Sequence, residues 1–306
     1  MAKITKEDAL NYHAGKRPGK IEVVPTKPYY TQTDLSLAYS PGVAEPCLEI
    51  QKNPQDAYKY TSKGNLVAVI SNGTAVLGLG DIGALSGKPV MEGKGLLFKI
   101  YGGIDVFDIE VNEKDPAKFV EAVKAIAPTF GGINLEDIKA PECFEIERRL
   151  KEELDIPVMH DDQHGTAIIS GAGLLNALEV NGKQISEVKV VVNGAGSAGI
   201  AITRLLLNYG FKHVIMCDRH GIISKNYPEL NWMQKEMTQY TNLENQEGTL
   251  ADAMKGADVF VGVSAPGIVS EAMVASMNAD AILFAMANPV PEIMPDIARA
   301  AGARIV

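Results

Sequence analysis

From Leu66 onward the chain is a series of short apolar runs punctuated by glycine: LVAVI, AVLGLG, LLFKI and IDVFDIEV. Apolar runs of this length without alternation predict buried strands and a helix of an α/β layer. In DPAKFVEAVKAIA (115–127), Phe119, Val120, Val123 and Ile126 fall at helical spacing, with Pro116 in the first turn. That pattern predicts a helix with one apolar face. GGINLEDI then reads as a strand, 141–154 as a charged helix, and IPVMHDD as another strand. Gly165 to Val180 reads as a helix filled with small residues. Beyond it, VKVVV (188–192), IAITRLLLNYG, HVIMCD (213–218), ADVFVGV (257–263) and AILFAMANP (281–289) again alternate strand and helix.

This alternation predicts the α/β class, with parallel sheets covered by helices. The expected division is an N-terminal arm and a substrate and metal domain over 1–164, then a Rossmann-like domain over 165–306. The first 65 or so residues are Pro-, Gly- and polar-rich, with a basic loop from His13 to Lys20 and the piece PYYTQTDLSLAYSPG. They are expected to form an arm or cap without a core of their own. The final Ala303-Arg304-Ile305-Val306 looks like the start of a strand, so the chain is expected to be part of a longer protein.

At 306 residues and 46% hydrophobic content the chain has material for two cores, which excludes disorder as its main state. Its 29 basic and 38 acidic residues leave a net charge of -9, opposing non-specific binding to nucleic acid or an anionic membrane. No run approaches the roughly 18 apolar residues of a transmembrane helix, and MAKITKEDAL lacks the apolar block of a signal peptide. A cytoplasmic protein is expected. Cys47, Cys143 and Cys217 are far apart and form no C-x-x-C, so reduced and mostly packed thiols are expected.

Two glycine fingerprints stand out. Gly194-Ala195-Gly196-Ser197-Ala198-Gly199 directly follows an apolar strand and opens an amphipathic helix. Its glycines would serve the tight turn, the close approach of backbone to a pyrophosphate, and helix packing on the strand. Unpaired N–H groups at the helix start would face the phosphates. Asp218 closes the next strand 19 residues after Gly199, placed for a ribose hydroxyl. Asp218 suggests NAD, whereas the adjacent Arg219 and nearby Lys225 suit NADP, so both stay open. Gly78-Leu-Gly80-Asp-Ile-Gly83 has the same spacing, but Gly87 and Pro89 follow, so no long helix is expected there. GKPVMEGKG is not a phosphate loop of the kinase or ATPase kind, because five residues separate Gly87 from Gly93 and Gly95 occupies the Ser/Thr position.

Glu136-Asp137 and Asp161-Asp162 end two predicted strands, where ligands of open α/β sheets collect. Carboxylates without a cysteine partner favour a hard divalent ion, Mg²⁺ or Mn²⁺. The same acidic pairs would equally serve to cap helices. Neighbours in a strand point to opposite faces, so Glu136 and Asp137 can ligate together only if the strand has ended in a turn. His160 and His164 have zinc-like spacing, but Pro157 and the run before them predict a strand and loop.

With these residues in view, the sequence resembles the malic enzymes of the small bacterial type and the N-terminal part of the hybrid ones. The resemblance covers nearly the whole chain, through TDLSLAYSPGVAEPC, NGTAVLGLGDIGALSGKPVMEGKG, GGINLEDIKAPECFEIE, PVMHDDQHGTA, NGAGSAG and FAMANPVPE. It implies oxidation of malate with NAD or NADP and a divalent metal, followed by decarboxylation to pyruvate. It also implies Tyr39 and Lys94 as catalytic groups, Asp161 orienting the lysine, and Glu136, Asp137 and Asp162 as metal ligands. Ala195 to Ala198 become the pyrophosphate turn, and Asn288 a contact to substrate and nicotinamide. Ala75 departs from larger members, which have an arginine in this segment, so the group neutralising the substrate carboxylate is not identified. A further asparagine-rich substrate segment of the family lies beyond Val306. A homodimer or higher homo-oligomer is expected, in which the arm bearing Tyr39 completes a partner's site. Two other readings stay open: a malolactic enzyme releasing lactate, and a dinucleotide-binding fragment without turnover.

Overall fold

The computed structural model describes residues 4–306. Two compact units form: one from the residues up to Val76 with Asp81–Glu136 and Arg148–Val158, the other from Leu77–Gly80, Asp137–Glu147 and Met159–Val306. Among the described residues no helix is long and apolar enough to cross a membrane.

In the first sheet β1 (Leu66–Ser71), β2 (Asp105–Glu110), β3 (Gly132–Leu135) and β4 (Val158–His160) take the order β2-β1-β3-β4, with β1 parallel to both β2 and β3. Ala68, Val69 and Ile70 of β1 are fully buried, as are Phe119, Val120 and Val123 of the helix Pro116–Ile126, the face its spacing predicts. Asp115 caps that helix by accepting from the Lys118 N–H at 3.0 Å. The arm is helical over Lys6–Ala14, Gln32–Ala38 and Ala44–Lys52 and buries no residue in any of the three. It is a cap without a core.

Two expectations fail in the region of the first glycine fingerprint. AVLGLG is not a strand but ends in a single 3-10 turn, Leu77–Leu79, with both leucines exposed. A 19-residue helix, Ala84–Gly102, does open after Gly83, with Pro89 inside it. Proline removes one helical hydrogen bond, yet packing outweighs that loss. Gly87, Met91 and Gly95 are buried, and a Cβ at Gly95 would stand 3.1 Å from Val106 Cγ1, so glycine is what lets the helix approach β2.

The second sheet comprises β5 (Lys189–Asn193), β6 (His213–Asp218), β7 (Gly221–Ile222), β8 (Val259–Gly262), β9 (Ala281–Ala285) and β10 (Ala303–Ile305), ordered β10-β9-β8-β5-β6-β7. Every pair is parallel except β6 with the two-residue β7. Apolar clusters lie on both faces, Val190 and Val192 in one and Val191 in the other, because a strand buried on both sides has no polar face. The chain leaves β5 toward β6 on one side and β8 on the other, which opens a crevice beyond their carboxyl ends.

The helix predicted from Gly165 starts four residues earlier and spans Asp161–Asn181. His164 is therefore helical, not in a loop, while His160 is the residue preceding the helix. Burial holds the Cys143 and Cys217 thiols up to about 12, and Cys47 is exposed.

Candidate active site

β3 ends at Leu135, and Asp137 adopts a left-handed φ of 53°. The strand has thus ended before its two acidic residues, and the turn removes the obstacle of opposite faces. Asp137 N–H donates to Asp162 Oδ2 at 2.8 Å, tying the turn to the first turn of the helix Asp161–Asn181. One carboxylate oxygen each of Glu136, Asp137 and Asp162 lies within 4.8 Å of the other two, and Glu136 and Asp137 are buried. This is the grouping of potential metal ligands found among the described residues, and it includes neither His160 nor His164. Three oxygen donors without sulfur suit a hard divalent cation.

Lys94 projects from the helix Ala84–Gly102, its Nζ 3.1 Å from Glu136 Oε1. Glu136 Oε2 accepts from Asn134 Nδ2 at 2.8 Å, so both oxygens of this carboxylate are engaged. Asp161 opens its helix, and Gly165 leaves room for it, since a Cβ there would stand 2.1 Å from Asp161 Oδ1. Tyr39 ends the helix Gln32–Ala38, and its side chain is 78% exposed.

The crevice beyond β5 and β6 is a cleft of about 730 Å³ lined by Gly194, Ala195, Gly196, Asp218, Arg219 and Ser264, among others. Gly194 has φ 112°, and a Cβ on it would meet Val263 O at 2.4 Å. A Cβ on Gly199 would lie 1.7 Å from Gly194 O, so the helix Ser197–Asn208 can begin this close to β5 only with glycine there. Ser197 and Ala198 form the first turn of that helix, and Ser197 Oγ is 3.3 Å from Cys143 Sγ. Asn288 is exposed after β9, and the turn at Gly78 comes alongside its carbonyl.

Three groups have supporting roles that a reading of the sequence misses. His160 is fully buried, with Nε2 3.2 Å from Asp162 Oδ2 and Nδ1 paired to Gln163 Nε2 at 3.1 Å, so it backs an acidic residue. Glu292 is fully buried and accepts from Ser264 N–H at 2.8 Å and Ala287 N–H at 3.0 Å, joining the loops after β8 and β9. Its signal is a carboxylate inside the otherwise apolar PVPEIMP. Tyr227 O–H donates to Asp218 Oδ1 at 2.7 Å from a loop that has no periodic pattern.

Residues 18–151 match the malic enzyme N-terminal domain, and residues 163–299 match the malic enzyme NAD binding domain.

The chain belongs to the malic enzyme family. It is 59% identical over 296 residues to an NADP-dependent malic enzyme of Escherichia coli, covering 96% of this chain and 39% of that protein. It is 54% identical to a bifunctional malic/malolactic enzyme of Bacillus subtilis, covering 98% of this chain and 73% of that one. A crystal structure of malic enzyme from Pyrococcus horikoshii superposes with a TM-score of 0.93 at 51% identity, over 98% of this chain and 72% of that one. Against the Escherichia coli malic enzyme, then, this chain spans 39% of the length.

Proposed function

We propose that this chain catalyses the oxidative decarboxylation of malate to pyruvate and CO₂ with NAD or NADP, assisted by Mg²⁺ or Mn²⁺. The observation behind this reading is the cluster of Glu136, Asp137 and Asp162 oxygens within 4.8 Å, with the Lys94 amine 3.1 Å from Glu136. An amine beside a cage for a hard cation suits a substrate that must lose a hydroxyl proton and then a carboxylate. Residues 1–164 would hold malate and metal, and 165–306 the dinucleotide.

Glu136, Asp137 and Asp162 would hold the cation. When bound, the cation would supply Lewis acidity to the substrate, and the dinucleotide would supply the acceptor for the C2 hydride. Lys94 is the base that takes the C2 hydroxyl proton, and Asp161 orients its amine. After CO₂ leaves, Tyr39 delivers a proton to C3 and Lys94 replenishes it. The backbone of Gly194 to Gly199 receives the pyrophosphate, Asp218 and Arg219 face the adenosine ribose, and Asn288 touches malate and nicotinamide. Because Tyr39 is 78% exposed, the assembly proposed is a homodimer whose arm completes the partner's site.

The test is malate turnover with NAD⁺ or NADP⁺, with and without Mn²⁺, scoring reduced dinucleotide and pyruvate together. Equal yields of the two, dependent on Mn²⁺, are expected; no malate-dependent reduction would overturn the reading. The similarity to a bifunctional malic/malolactic enzyme favours a second reading, and lactate formed without net reduced dinucleotide would select it. Dinucleotide binding without any turnover would leave only a binding unit. For the dimer, mixing Tyr39→Phe with Lys94→Ala protein should restore activity that neither has alone, and no regain would exclude shared sites.

A further inference from the structure

Asp218 ends β6 at the rim of the dinucleotide cleft, and its carboxylate is not a loose surface group. Oδ1 accepts twice, from the His220 N–H at 2.8 Å and from the Tyr227 phenol at 2.7 Å. Tyr227 and His220 line the same cleft. Among the described residues no group bonds Oδ2. Burial and the adjoining Asp218 carboxylate hold the Tyr227 phenol above its ordinary value, so at neutral pH it remains a donor. The carboxylate is thereby held at one oxygen while the other stays available as an acceptor.

Arg219 is the only cation next to Asp218 in sequence, and its Nε donates to His220 Nε2 at 2.9 Å. A 2′-phosphate beside Asp218 would meet a fixed negative charge, which Arg219 would have to outweigh while remaining joined to His220. A 2′-hydroxyl has only to donate to Oδ2. Turning Asp218 aside to admit phosphate would break a charge-assisted hydrogen bond from Tyr227, among the stronger kinds in proteins.

We propose that Tyr227 is a positioning residue that fixes Asp218 to receive a ribose 2′-hydroxyl, and so makes this chain selective for NAD(H) over NADP(H). The proposal rests on the dinucleotide reading of the cleft and not on the decarboxylation chemistry.

The test is direct binding of NADH and NADPH, followed by nucleotide fluorescence without malate or metal, on wild type, Tyr227→Phe and Asp218→Ser. Wild type should bind NADH about tenfold or more tightly than NADPH, the ratio that about 1.4 kcal/mol carries. Tyr227→Phe removes one hydroxyl and should lower that ratio several-fold while the thermal midpoint stays close to wild type. Asp218→Ser should abolish or invert the preference, since Arg219 then acts unopposed. Tighter NADPH binding by wild type would overturn the proposal, as would an unchanged ratio in Tyr227→Phe. Equal binding of the two nucleotides would overturn it while leaving the dinucleotide cleft intact. Binding of neither would remove both.

Discussion

Gly78-Leu-Gly80-Asp-Ile-Gly83 and Gly194-Ala-Gly196-Ser-Ala-Gly199 share one spacing and both lead into helices, yet they build different things. In the second, β5 runs straight into Gly194 and the helix begins at Ser197, after the second glycine. Its third glycine is therefore inside the helix, where a Cβ would lie 1.7 Å from Gly194 O. In the first, six residues separate β1 from Gly78, and the helix begins at Ala84, after the third glycine. Gly80 and Gly83 have φ of 74° and 84°, but a Cβ on either would meet nothing within 4 Å. One set of glycines exists for close approach, the other for backbone angles. Spacing alone does not distinguish them; attachment to the strand does.

The two helices also differ in what holds them. Ser197–Asn208 buries Ile200, Ala201, Ile202 and Leu206. Ala84–Gly102 instead presents Lys88 to Asp108, with Glu110 at 3.5 Å and Glu92 at 3.8 Å, and offers Lys94 to Glu136. The first fingerprint thus opens a helix that presents charged side chains, and the second a helix that fills a core.

This contrast can be broken experimentally. Lys94→Ala should lower malate turnover by about 10²–10⁴, the usual contribution of a general base, while NADH binding is unchanged. Weakened NADH binding would blur the division between the two helices. Gly199→Ala should reverse the pattern, forcing backbone apart at a cost of about 2–3 kcal/mol, seen as a thermal midpoint roughly 5–10 °C lower, with weakened NADH binding. Gly80→Ala should cost only about 1 kcal/mol in urea unfolding, from its left-handed φ, and leave NADH binding alone. If Gly80→Ala equals Gly199→Ala in both assays, the two fingerprints are equivalent after all.

A separate effect is expected on pH dependence. Burial, reinforced by the neighbouring Asp108, raises the Glu110 carboxyl from 4.5 to about 7. The folded state therefore binds more protons than the unfolded one over this interval, and stability must fall as pH rises. That contribution is complete below about 4.5 and lost by about 7. Urea unfolding across this range should show the decline, and Glu110→Gln should flatten it. A stability that rises with pH and is unaffected by the substitution would refute the assignment.

Much of the fold was legible in advance. HVIMCD is β6 to the residue, and the apolar spacing of Phe119, Val120 and Val123 is the buried face of its helix. These succeed because burial periodicity is written locally. The failures have nonlocal causes. Pro89 sits inside a helix because Gly87 and Gly95 let that helix lie close to its neighbours, a gain no local propensity records. His164 is helical because the helix starts at Asp161, where residues with weak intrinsic helix preference suit a first turn. Of the candidate site, the acidic pairs were visible as pairs, but the left-handed Asp137 that lets both members serve one cluster was not. Tyr227 and Glu292 escaped because each acts through a partner that no motif links to it, and His160 was visible only as half of a zinc-like pair, not as the support of Asp162.

By itself the amino-acid sequence determined the class of fold, the strands and most helices, and the residue types offered to a cation and a dinucleotide, since these follow from periodicity and side-chain chemistry. Only the tertiary structure decided which fingerprint forms a cleft, that three carboxylates meet, and that Asp218 is held by a tyrosine. Convergence of side chains depends on strand order and helix approach, and those are properties of packing between segments, not of any segment alone.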